Sequence, residues 1–195
     1  MPRISASERA ATRSRLLEAG KTEFAERGLA GARFDEISLA AGCAKGTIYN
    51  YFDSKEILFF TIVEEWCTQL VDAIGSGEAS AREELFAIVE LDVDVARKDP
   101  DLARVVVSQL PGLFGDHRAA VEVAIGPGIE HVAQVMRSGQ ERGELRLDQP
   151  PETLARLFLA TVSAFEQEAL DDASEVCLDD VVDLIDSCFL QGLIR

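Results

Sequence analysis

Lys45, Gly46, Thr47, Tyr49, Asn50, Tyr51 and Lys55 fall within one short run of the chain, and their chemistry is that of nucleic-acid recognition. Lys45 and Lys55 offer point charges to phosphate, and Gly46 allows a close backbone approach. Asn50 has the paired donor and acceptor that match an adenine edge, whereas Thr47 bonds many bases or touches a thymine methyl. Such a set has little to offer a covalent reaction. Positioning it requires two short helices at a fixed angle. Ile37 and Ala41 share one helical face, Gly42 supplies a tight turn, and Cys43 and Ile48 can fill the angle behind it. The spacing predicts a helix-turn-helix whose second helix starts at Lys45 and Gly46, where free N–H groups favour phosphate. Phe52 reads as core.

Residues 42–52, followed by Ser54, Lys55, Glu56 and Leu58, resemble the turn and recognition helix of the tetracycline-repressor (TetR) family almost position for position. Leu16 to Ala19 and Phe24 to Gly28 resemble that family's first helix, so the likeness covers about residues 10–60. Local departures are Cys43 where an aliphatic residue is usual, Gly20 and Ser38 where Ala is usual, and Arg33 where Thr or Ser starts the second helix. Arg33 removes the usual capping hydroxyl, although Asp35 still suits the helix dipole. The resemblance implies that Tyr49 and Tyr51 contact phosphate; packing of a ring beneath the helix is the other reading for each.

Composition fits. At 195 residues and 47% hydrophobic content the chain can bury a substantial core. No stretch approaches the ~18 uninterrupted apolar residues of a membrane helix, and Arg3, Arg9, Arg13 and Arg15 precede no apolar segment, which predicts a cytoplasmic protein with no membrane partner. Cys43, Cys67, Cys177 and Cys188 lack metal-site spacing and read as reduced, buried hydrophobes. His117 and His131 lack ligand-spaced partners, so neither a metal nor another cofactor is expected. A net charge of −16 is unusual for a DNA binder, but residues 1–55 carry nine Lys or Arg against seven Asp or Glu, leaving ten against 28 for the remainder. A faintly basic end on an acidic body orients the molecule on a duplex and suppresses non-specific binding; the acidic face also secures solubility.

The pattern is helical nearly throughout, predicting an all-α fold with a three-helix DNA-binding head at 1–55 and a helical ligand-binding and dimerisation domain at 56–195. The first helix runs from Ala6 to Arg27 and stops at Gly28. Ser54 caps a helix from Lys55 to about Ile74, ahead of a Gly75 to Gly77 linker. Further pieces near 80–98, 100–111 and 117–142 are broken at Pro100, at Pro111 and at the Gly126 to Gly128 triplet.

Pro150 and Pro151 start the penultimate helix, where Leu154, Leu157, Phe158, Thr161 and Phe165 form a stripe; Val181, Leu184, Ile185, Cys188, Phe189 and Gly192 form another. Each could be ordinary core. The family resemblance implies instead that the two helices pair with those of a second copy, with Gly192 allowing close approach and the two heads set ~34 Å apart, one helical turn of duplex.

The resemblance also implies a small-molecule cavity in the body, whose occupant lowers affinity for a double-stranded operator. Trp66, Phe86, Val89, Val93, Leu110, Phe114, Met136, Phe158 and Phe165 are candidates for its wall, and Glu90, Asp92, Asp94 and Glu166 could meet a cationic ligand if buried. No catalytic grouping or phosphate loop points to an enzyme. The expected function is a homodimeric repressor released from a pseudo-palindromic operator by a ligand; the alternative on the same fold is an architectural or partner-docking protein without an inducer. Asn50→Ala is expected to change the preferred sequence, whereas Lys55→Ala weakens all sites alike and lowers the salt slope by about 1. Binding of both variants to specific and random duplexes across a salt series checks that division.

Overall fold

The computed structural model describes residues 5–74, 79–145, 149–171 and 174–187, and all regular structure among them is helical. The Gly75 to Gly77 linker and three of the expected interface residues, Cys188, Phe189 and Gly192, lie outside the described residues. Helix α1 (Ala6–Gly31) starts at a capping box in which Ser5 and Glu8 satisfy each other's backbone N–H groups. It turns out of helical geometry at Gly28, where φ is 64°, so the expected break is there although helical turns resume to Gly31. Its Leu16, Gly20 and Phe24 face is buried against α3 (Lys55–Ala73), with the Phe24 and Phe59 rings edge to face at 5.2 Å. Between them lie α2 (Phe34–Ala40) and a short 3₁₀ helix, Lys45–Asn50. The Ser54 hydroxyl caps α3 by accepting from the Ile57 N–H at 3.3 Å.

Helix α4 (Ala81–Lys98) leads through Asp99 into α5 (Pro100–Ala103). The chain then widens into a π turn, Arg104–Gln109, before tightening into a 3₁₀ turn, Leu110–Phe114. Pro111 has no N–H to give the Val107 carbonyl, which accounts for the loss of α geometry just ahead of it.

Helix α6 (Arg118–Glu141) corrects one expectation, because it runs unbroken through Gly126, Pro127 and Gly128. Support comes from α3. The Cys67 thiol donates to the Ile125 carbonyl at 3.8 Å and its sulfur accepts from the Gly128 N–H at 3.1 Å, so backbone groups on either side of Pro127 find a partner across the helix pair. A Cβ at Gly128 would lie 2.8 Å from that sulfur, so any other residue would have to displace the thiol. Helices α7 (Pro151–Ala169) and α8 (Leu178–Ile185) complete the described chain.

Two apolar clusters result. One joins the head residues Leu16, Phe24, Ile37 and Ile48 to Phe59, Val105, Val106 and Leu110, so the head's core continues into the first part of the body. The other packs α4, α6, α7 and α8 around Leu85, Val89, Met136, Phe158 and Val181.

Candidate DNA-binding face and internal cavity

Buried Ile37 and Ile48 close the angle between α2 and the 3₁₀ helix, while Gly42 turns the chain at φ 71°. The Ser38 hydroxyl, fully buried, donates to the Ala44 carbonyl at 2.6 Å, and the Cys43 N–H returns to the Ser38 carbonyl at 2.9 Å. A serine in place of the usual small residue thus adds a cross-link to the turn. Outside it, Lys45, Gly46, Tyr49 and Asn50 are exposed and Thr47 is half-buried. The two tyrosines differ. Tyr49 is 55% exposed with its ring edge against Phe34, whereas Tyr51 is half-buried beneath the Arg9 guanidinium, 5.7 Å from its ring centre. Phe52 is buried under Arg13.

Lys55 is engaged inside the protein. Its ammonium donates to the Ala30 and Ala32 carbonyls at 2.9 and 3.3 Å, closing the C-terminal end of α1, which leaves one donor for any phosphate. Arg33 makes no side-chain cap, as expected; its backbone N–H is taken by the Glu23 carboxylate at 3.0 Å.

Within the body lies a cavity of about 500 Å³. Its wall holds Trp66, Leu110 and Phe114 from the expected set, together with Val106, Val107, Ile125, Ile129 and Leu159. Phe86, Val89, Val93, Met136 and Phe158 do not reach it; they pack in or against the second cluster, and Phe165 borders a shallow depression on the outer side of α7. The wall also carries Asp92 and His131. A small recess behind, sharing Trp66, Asp92, Val106 and Val107 with the cavity, is bordered by Glu166. Of the four acids considered from the sequence, Glu90 is exposed and Asp94 pairs with Lys98 at 2.6 Å, so Asp92 and Glu166 alone meet the interior. His131 went unrecognised because periodicity alone does not distinguish a cavity wall from core.

Residues 16–62 match the family described as bacterial regulatory proteins, tetR family. The chain is 30% identical to the transcriptional regulator AcuR of Cereibacter sphaeroides over 73% of its own length and 69% of that protein's. It belongs to the tetR family. It is also 28% identical to the HTH-type transcriptional repressor SCO4008 of Streptomyces coelicolor, over 80% of this chain and 79% of the relative. The fold agrees along its length with that of the fatty acid degradation regulator FadR from Bacillus halodurans, with a TM-score of 0.83 over 94% of this chain and 97% of the other at 22% identity. The protein is therefore a DNA-binding transcriptional regulator. Among the described residues, no helix is long and apolar enough to cross a membrane.

In this tetR-family chain the cavity and the head share a wall. Val106, Val107 and Leu110 face the cavity, while the same segment and the corner before it grip α1: Lys21 pairs with Asp99, Thr22 donates to Asp101 at 2.7 Å, and Gln109 lies against Gly28. Burial pulls the Lys21 ammonium toward neutrality, but the hydrogen bonds it donates to Asp99 and Glu18 outweigh this and raise its pKa.

The expected interface residues divide. Leu154, Phe158, Val181 and Ile185 are buried inside the protomer, because the inward face of α7 is centred on Ala155, Phe158 and Val162. Leu157, 55% exposed, and half-buried Thr161 lie on its outer flank, while Phe165 and Leu184 are half-buried.

Asp92 and Glu166 hydrogen-bond each other, and among the described residues no cationic side chain shifts either of them. Burial pushes Glu166 up to about 9, with the Asp92 charge and hydrogen bond adding to it. Burial likewise raises Asp92 to about 7, against the lowering effect of the Glu166 hydrogen bond. Near neutrality the pair therefore holds a proton between its two carboxyl groups. The folded chain holds these protons where the unfolded chain, ionising near pH ~4, has lost them. Stability is thus fully present below that pH and falls as pH rises toward 7 and 9. Urea midpoints across this range should decline less steeply for Glu166→Gln than for the wild type; parallel curves would show that the pair has no such linkage.

Proposed function

We propose that the protein is a homodimeric repressor that leaves a pseudo-palindromic operator when a small molecule fills the cavity. One observation carries this reading: the segment 99–110 touches the cavity with one side and holds α1 with the other. A ligand acting on Val106, Val107 and Leu110 therefore bears on the orientation of the head. Similarity to a named repressor supports the sign of regulation, and a formed apolar cavity favours a small-molecule effector over a partner-docking body. We divide the chain functionally at 1–55 and 56–195.

On this reading Thr47 and Asn50 meet base edges, and Lys45, Gly46, Tyr49 and Tyr51 meet phosphates, with the remaining Lys55 donor at the edge of the same surface. Leu157 and Thr161 on the outer flank of α7, with Phe165 and Leu184, meet a second copy. Two heads then read half-sites ~34 Å apart.

Selection of bound sequences from a random duplex library, with the mass in solution recorded alongside, tests the reading. A dimer that enriches a pseudo-palindrome supports it, while a folded protein that enriches nothing overturns it. A Cβ at Gly46 would meet nothing within 4 Å, so the protein itself leaves room for a side chain to start there. Gly46→Leu should hold its folding stability within about 0.5 kcal/mol yet lose roughly tenfold or more in affinity for the selected duplex, which thermal melting and fluorescence anisotropy can separate.

A further inference from the structure

The acid pair at the cavity wall is placed where an apolar ligand alone needs no such group. Asp92 follows Leu85 and Ile88 on the inward face of α4, and Glu166 follows Phe158 and Val162 on that of α7, so both acids occupy positions the helical pattern reserves for core. Glu166 is 2% exposed, and its Oε1 has no hydrogen-bond partner. The Nε2 of His131, on the same cavity, also lacks one. Unpartnered buried polar atoms are costly unless something else satisfies them. The one guanidinium among the wall residues, Arg156, pairs with Glu122 at 3.2 Å, so part of its charge is already met by a carboxylate. Trp66 borders both the cavity and the recess behind Asp92, bringing an indole to the same neighbourhood as the carboxylate. An aromatic ring with a carboxylate beside it is the pairing that recognises alkylated ammonium groups.

We infer that the effector is a hydrophobic cation, an amine or quaternary ammonium with an apolar body, whose positive centre sits against Asp92 and Trp66. Glu166 is a positioning residue that holds the Asp92 carboxylate by a hydrogen bond from the recess. The apolar body lies along Val107, Leu110, Phe114 and Ile129, and His131 serves a polar atom of the ligand. The strongly acidic body of the protein favours the approach of cations over anions. This inference rests on the proposed effector cavity and names its ligand class.

Trp66 is the only tryptophan of the chain, so its fluorescence reports the site directly. The full-length protein is titrated with decyltrimethylammonium, decan-1-ol and decanoate, each below its micelle limit. The cation is expected to bind roughly tenfold or more tighter than the alcohol or the acid. Asp92→Asn should collapse that preference, and Glu166→Gln should reduce it less. Wild-type discrimination alone decides the matter if either variant fails to fold. Equal binding of decan-1-ol, or tighter binding of decanoate, overturns the cationic class and leaves the effector cavity standing. Silence of Trp66 toward all three, with calorimetry also flat, removes the cavity reading and this inference with it.

Discussion

Where α1 crosses the corner between α4 and α5, the Lys21 ammonium leaves much of its water to meet Asp99 and Glu18. An exposed pair of this kind contributes little, but here the lysine side chain is only 13% exposed and Thr22 makes a second bond one residue on, to Asp101. Losing either partner would leave a poorly solvated charge, so the contact specifies position more than it adds stability. The head depends on that position. With α1 fixed at its middle by Lys21 and against α3 by Phe24 on Phe59, the chain leaves Gly28 in one direction, and Lys55 closes the far end on the Ala30 and Ala32 carbonyls. The reading turn is therefore carried on a frame whose anchor lies in the body.

The parts legible in the sequence are those specified locally. Ser54, Gly28 and Gly42 act on their own few residues, and caps and left-handed turns keep their meaning in almost any surroundings. The apolar spacing of α1 and the recognition turn likewise needed no knowledge of distant segments. The Gly126 to Gly128 triplet misled because its support comes from Cys67, three helices earlier in the chain. Propensity speaks for the isolated segment, and tertiary partners override it. The stripe on α7 misled for another reason: positions 154, 157, 158 and 161 fall within one broad arc of the helix, and only packing decides which side of that arc points inward.

Cavity walls are harder still, since a side chain lines a void only when its neighbours fail to fill the space. Large residues such as Met136 and Phe158 attract attention in a sequence but fill the second cluster, whereas smaller Val106, Val107 and Ile129 border the space. The acids were a better signal. A carboxyl that interrupts an inward apolar stripe, as Asp92 and Glu166 both do, is rarely tolerated without a partner.

The segment after Asp99 explains how a wall and a grip can be joined without rigidity. An α-helix there would lock cavity and head into one spacing, but Pro111 denies the Val107 carbonyl its usual donor and the chain takes a π turn followed by a 3₁₀ turn. Such turns hold less favourable hydrogen-bond geometry than an α-helix, so rearranging them sacrifices less. A ligand shifts the balance only by the difference in its affinity for the two arrangements. Val106, Val107 and Leu110 contact the cavity from within this pliant stretch, whereas Asp92 and Trp66 stand on the long helices α4 and α3. On the proposed reading, recognition of charge falls on the firm side of the cavity and the response on the yielding side, a division by which one occupant is held in place while it moves the head.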